Sequence, residues 1–218
     1  YHYSTPATAL GLHGYSDEVA KKGGLNPKMF NSFIDGTKSS IEMAVVANAT
    51  GLQVPMNGLH FPPSGSSTLP QILKGKKFGG ILEQEGTVEV VSSLERNGVE
   101  IKDHIRFGVF AVFKTYSSYV ANCFNEYGMI TDNSGLYSCL WRPFHLIGLE
   151  LGYTVARCFL DQKATGVSNF FNGDVVAIAK RNLKVGDILD GEGGETVWGK
   201  LIPAKQSVNF KAIPIGLS

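Results

Sequence analysis

The densest group of reactive side chains falls in residues 31–42, where Asn31, Ser32, Asp35, Thr37, Lys38, Ser39 and Glu42 surround Gly36. On a helix, Asp35 and Lys38 are i,i+3 neighbours and Lys38 and Glu42 are i,i+4 neighbours. This spacing puts one cation and two carboxylates on one face. As a plain surface feature that is an ion-pair ladder worth ~0.3–0.5 kcal/mol per pair. As a site, a lysine between carboxylates can deliver a proton or clamp a developing alkoxide. The Gly36-Thr37 break would add unpaired backbone amides, which attract an anion such as phosphate.

A second group comprises Arg142, Pro143, Phe144, His145 and Glu150, with Asp132 and Asn133 upstream. Arginine is a bidentate ligand for phosphate and carboxylate, and histidine titrates near neutral pH. The same string also fits a core histidine beside aromatics. Glu95-Arg96 reads as a surface pair next to a turn, with Ser92-Ser93 able to offer hydroxyls to a ligand. His2, His13, His60 and His104 share no metal-ligand spacing, which speaks against a structural zinc site. Gly191-Glu192-Gly193-Gly194 lacks the third glycine of a dinucleotide fingerprint and sits between strands, and no Walker sequence occurs. The chain carries no nucleotide cradle that its sequence reveals.

The elements that must position these groups follow from periodicity. Asn26-Pro27 reads as an N-cap with Pro at the first helical position. Met29, Phe30, Phe33 and Ile34 then recur at helical spacing up to the break at Asp35-Gly36-Thr37. A second helix carries Ile41, Val45 and Asn48 and stops at Gly51. Four prolines and five glycines across 52–80 predict a long surface excursion. Thr87–Val91, the Asn97-Gly98 turn and Phe107–Phe113 predict an antiparallel sheet. Tyr119–Tyr127 and Phe144–Leu160 have helical spacing. From Gly173, Asp174–Lys180 and Val185–Leu189 read as short strands of a compact β unit. The order predicts an α+β fold, helices packed on an antiparallel sheet followed by a small β-clip, with a boundary near residue 172.

Composition bounds the function. Of 218 residues, 43% are hydrophobic and 18% charged, so the chain can bury a sizeable core. A net charge of +1 removes the electrostatic footprint of a nucleic-acid or anionic-membrane binder. No apolar run reaches the ~20 residues that span a bilayer. The expectation is a soluble, cytoplasmic protein whose three cysteines, Cys123, Cys139 and Cys158, are buried thiols. Low charge with many apolar residues also predicts a homodimer surface. The chain starts at Tyr1 without a Met and ends after an apolar run, so it reads as a fragment.

Several strings are specific enough to compare. His2–Pro6, Asn26–Lys38, Val90–Arg96 and Tyr137–Gly152 resemble the homoserine-dehydrogenase-like family with a C-terminal SAF domain. That family includes the reductoisomerase-like enzymes that convert deoxyxylulose phosphate to methylerythritol phosphate, in isoprenoid-precursor synthesis. Val175–Gly199 resembles its SAF (β-clip) part. The resemblance implies a catalytic and dimerising domain over 1–172 and a SAF-like domain over 173–218. It also implies an N-terminal Rossmann domain, absent here, that would hold NAD(P)H. The implied activity is reduction of a small polar carbonyl, or oxidation of the corresponding hydroxyl. On residue chemistry and position in the matching strings, Lys38 would stabilise the oxyanion or deliver a proton, and Asp35 and Glu42 would orient it or bind a divalent metal ion. Asn31, Ser32 and Thr37 would contact substrate, Arg142 and His145 would hold its anionic end, and Glu150 would orient them. The competing reading is a non-catalytic sugar- or anion-binding or assembly module.

Overall fold

The computed structural model describes residues 2–146 and 148–218. In chain order the helices and strands are α1 (Pro6–Leu12), α2 (Asp17–Gly23), α3 (Pro27–Asp35), α4 (Thr37–Thr50), α5 (Leu69–Ile72), β1 (Val109–Lys114), α6 (Ser118–Glu126), β2 (Tyr137–Arg142), α7 (Leu151–Leu160), β3 (Gly173–Ala179), β4 (Val197–Pro203) and α8 (Ala204–Phe210). The fold is α+β, with two two-stranded antiparallel sheets, β1-β2 and β3-β4, among the described residues. Contacts group the chain into two compact units, one running up to Leu59 and resuming over Ser168–Ser218, the other spanning His60–Val167. The stretch 173–218 therefore packs within the same unit as α1–α4.

In the first unit the local signals act as their chemistry requires. The Asn26 side chain accepts from the Lys28 amide and Pro27 opens α3. Gly36 ends α3 at φ 90° and Gly51 ends α4 at φ 82°, both left-handed positions that favour glycine. Asn48 on α4 then fixes the return of the chain, its Oδ1 accepting from the Asn172 and Gly173 amides where β3 begins. The α4 face packs on the β3-β4 hairpin, where the Gly199 amide donates to Thr37 Oγ1 at 2.8 Å. A Cβ on Gly199 would lie 2.8 Å from Thr37 Cγ2, so the approach depends on glycine. Ala44, Ala47, Val175, Val197 and Leu201 form the buried face.

The second unit departs from the sequence expectations more often. The 52–80 stretch is not a surface excursion throughout. Leu69 and Leu73 are buried with Leu82, Ile105 and Cys139 and form the core of this unit. Thr87–Val91 forms no regular strand, and its neighbourhood meets the 60–65 segment at a single bridge, Pro63 to Ser92. Pro62 and Pro63 have no amide protons to give a ladder. Asn97-Gly98 makes a tight turn closed by a Leu94–Glu100 bridge, with Gly98 at φ 87°. The partner of β1 is β2, from a segment that the sequence periodicity does not mark as a strand. The helix expected over 144–160 begins only at Leu151, because Gly148 adopts φ 79° and cannot continue a right-handed helix into it.

In the first unit, likewise, Val185–Leu189 is not a strand. Gly186 at φ 97° and an Arg181–Asp187 ion pair turn the chain there, and β3 pairs with Val197–Pro203 instead. The cysteines do not share one environment: Cys139 is buried, Cys123 intermediate and Cys158 exposed, all as thiols. Among the described residues, no helix is long and apolar enough to cross a membrane.

Candidate functional site

Charged side chains converge within the second unit, at an open cleft of about 450 Å³ whose lining includes Gln71, Lys74, Phe78, Asp132 and Tyr137. Lys74 lies just past α5, and its Nζ donates to Asp132 Oδ2 at 2.7 Å and to Gln71 Oε1 at 3.4 Å. Both partners of this ion pair are buried, at 5% and 1% side-chain exposure. Asp132 sits in the turn before β2, where its carboxylate also accepts from Ser134 Oγ and the Tyr137 amide. Burial alone would raise the Asp132 pKa, but the Lys74 ammonium and these donors outweigh it and hold the carboxyl below its usual range.

Register brings in the remaining members. Lys114 ends β1 directly opposite Tyr137, the first residue of β2. Tyr137 donates its hydroxyl to Glu85, and Lys114 Nζ lies 3.3 Å from the same carboxylate oxygen. The ammonium also stands over the rings of Phe78 at 3.6 Å and Tyr137 at 5.1 Å. Burial, then the bond to Glu85, pushes the Tyr137 phenol up to about 12. The Tyr137 hydroxyl, with Lys114 assisting against the effect of burial, holds Glu85 low. Burial would lower the Lys114 pKa, but its bonds to Tyr137 and Glu85 raise it instead. Two ammonium groups, two carboxylates and a phenol thus lie along one cleft and its immediate wall. Such a set can stabilise charge on an oxygen and hand a proton to it.

Of the residues singled out from sequence, Asp132 and Asn133 line this cleft and the others occupy other positions. Asp35 does not share a face with Lys38. It is fully buried, with Oδ2 accepting from Lys180 Nζ at 2.8 Å and Oδ1 from the Thr37 amide at 2.9 Å. The Gly36 break turns Asp35 inward and leaves Lys38 outside, where it pairs with Glu42 at 3.3 Å, each about two-fifths exposed. The Thr37 amide at the start of α4 is therefore not open to an anion, because Asp35 takes it. Asn31 donates to the Gly193 and Gly194 carbonyls, and Ser32 donates to Glu192. In the second unit, Arg142 pairs with Glu150 at 2.7 Å and stacks on Phe144, all exposed, while His145 Nδ1 lies 2.6 Å from the Phe107 carbonyl. Each of the two sequence clusters belongs to a different unit.

Gly193 is so close to α3 that a Cβ there would sit 2.0 Å from the Lys28 carbonyl. Asn31 closes the same loop from the other side, so Gly191–Gly194 is a packing loop that does not fit a dinucleotide pyrophosphate. Among the described residues no three His, Cys, Asp or Glu side chains gather as a metal-binding set.

Sequence reasoning passed over Lys74, Lys180, Glu85, Lys114 and Tyr137 as site residues, and noted Asp132 only beside the Arg142 group. Lys180 carries the one usable signal, a charge closing an apolar strand. Lys74 and Asp132 are 58 residues apart, a pairing no periodicity encodes.

Residues 1–151 match the family described as oxidoreductase DRL, catalytic domain. The chain belongs to that family. No curated protein matches it. The DRL match takes in every member of the Lys74 cleft, and all the sequence-derived candidates from Asn31 to Glu150, and stops short of β3 and β4. The chain thus carries an oxidoreductase catalytic domain, and the tail that supplies Lys180 lies beyond the matched span.

Proposed function

We propose that this oxidoreductase catalytic domain reduces a small polar carbonyl compound with NAD(P)H as hydride donor, or oxidises the corresponding alcohol with NAD(P)+ as hydride acceptor, the nucleotide being held by residues outside this chain. The substrate reading is reductoisomerase-like or homoserine-dehydrogenase-like, in keeping with the resemblance of the Asn26–Lys38 and Tyr137–Gly152 strings. The observation that carries the proposal is the Lys74–Asp132 pair facing the same cleft as Tyr137. A carbonyl oxygen entering the cleft meets the Lys74 ammonium, whose charge stabilises the alkoxide that forms. Asp132 holds the Lys74 ammonium in place through the 2.7 Å ion pair. Tyr137, tied to Glu85 and Lys114, relays a proton between the cleft and its wall.

The test is Tyr137→Phe in the intact enzyme, assayed with deoxyxylulose phosphate and NADPH and with homoserine and NAD(P)+. The variant removes one oxygen and keeps the ring. We expect kcat to fall by about 100-fold or more with the melting temperature changed by only a few degrees. An unaltered rate overturns the reading. Lys38→Ala in the same assay decides whether the exposed Lys38–Glu42 pair also touches substrate, in which case its loss lowers the rate as well.

A further inference from the structure

A second proton-handling group, unused by the site above, is the pair His60 and Glu89. The Glu89 side chain is 2% exposed, and both of its oxygens are committed. Oε1 accepts from the His60 amide at 3.0 Å and the Val90 amide at 2.9 Å. Oε2 lies 3.2 Å from the same His60 amide and 2.7 Å from His60 Nδ1. A carboxylate only accepts, so the shared proton sits on Nδ1 and the lone pair of the neutral ring is left on Nε2. The imidazole is about one-third exposed, at 35%.

Three further features gather at this pair. Phe61, the next residue, adopts φ 48°, a conformation that is strained for a bulky residue and that concentrates at functional positions. Ser64 donates its amide to the Ser92 carbonyl, and Ser92 donates its own to the Pro62 carbonyl, which locks the segment bearing His60 to the one bearing Glu89. Arg96, exposed, reaches back to donate Nη2 to the His60 carbonyl at 3.2 Å, placing a guanidinium next to the ring's own backbone. The other charged groups near His60 are Glu83 and Lys76, paired with each other at 2.6 Å.

We propose that His60 is an acid–base residue whose Nε2 takes a proton from the hydroxyl of a small anionic hydroxy substrate, with Glu89 as its positioning residue and Arg96 as the contact for the anionic group. In the step, the substrate O–H bond breaks and an N–H bond forms at Nε2. The electron pair stays on the substrate oxygen, and the imidazolium is balanced by Glu89. The reverse step returns the proton. The substrate class rests on the oxidoreductase reading above, whereas the state of the ring does not.

Nitrogen-15 spectra of the wild-type protein read the ring directly, with His60→Gln identifying its signals. We expect the proton of the neutral ring on Nδ1, and a proton on Nε2 instead overturns the proposal. Acylation by diethyl pyrocarbonate is expected to slow at His60 in Glu89→Gln, because a carboxylate on the other ring nitrogen fixes the tautomer and makes Nε2 more basic, and an unchanged rate overturns the role of Glu89. In the intact enzyme, assayed with the same two substrates, His60→Gln should lower kcat by about 100-fold. Glu89→Gln should shift the pH profile, and Arg96→Gln should raise KM while sparing kcat. Full turnover in His60→Gln overturns the catalytic assignment. If the wild type turns over neither substrate, the oxidoreductase reading of the cleft fails, and the spectra and acylation rates still decide His60.

Discussion

At the scale of single residues, the second unit places its charges where partners already exist. Asp132 and Lys74 are both buried, so removing one leaves the other without a counter-charge in a poorly solvating place. Asp132→Asn is expected to cost about 3–5 kcal/mol in urea denaturation, and a loss below 1 kcal/mol would show that water reaches the pair. The pH dependence follows from the directions of the shifts. The folded Asp132 pKa lies below its ordinary value, so its contribution is full above that value and is lost as pH falls through the folded one. Tyr137 behaves oppositely. Its folded pKa of about 12 exceeds the ordinary 10.0, so its contribution is full below pH 10 and is lost as pH rises to about 12. Stability against urea should therefore fall between pH 10 and 12 in the wild type, and the part due to this residue should vanish in Tyr137→Phe.

At the scale of elements, one glycine decides which side chains of residues 31–42 can act together. Had α3 run on into α4, Asp35, Lys38 and Glu42 would have formed the shared face that their spacing describes. Gly36 at φ 90° redirects the chain instead, so that Asp35 meets Lys180 beyond β3 while Lys38 and Glu42 stay at the surface. Gly36→Ala forces an L-residue into the left-handed region and is expected to cost about 1–2 kcal/mol. The same denaturation assay measures it, and an unchanged midpoint would mean that the turn relaxes without strain. In the second unit the β1-β2 register does comparable work, because a slip of one residue would carry Lys114 and Tyr137 to opposite faces.

At the scale of the whole molecule, α7 stands out because none of its residues is buried although most are apolar. Leu151, Tyr153, Val155, Phe159 and Leu160 are each more than half exposed. A helix apolar on all sides requires cover. With Leu146 and Leu149, also more than half exposed, these side chains make an apolar patch of the kind found at the core of homodimer interfaces. The one charged residue of α7, Arg157, is paired with Asp161, so a second copy facing it meets no unbalanced like charge. We propose a homodimer through α7. Sedimentation equilibrium should give a dimer for the wild type and a monomer for Phe159→Asp, and a wild-type monomer at high concentration would refute it.

What the sequence by itself determined is local. Asn26-Pro27 capped a helix, Gly36 and Gly51 ended helices, and Asp174–Ala179 formed a strand, because capping, positive φ and β-branched runs act through near neighbours. The α+β class followed from the order of such segments. Only the tertiary structure decided which charges meet. Asp35 with Lys180, Lys74 with Asp132, and Glu85 with Lys114 and Tyr137 are joined across 145, 58, 29 and 52 residues. It also turned the proline-rich 60s and 70s from loop into core, since burial of Leu69 and Leu73 depends on which surfaces close over them. A charge pair is fixed by Coulomb attraction and desolvation at a few ångströms, and that separation exists only after the chain has folded.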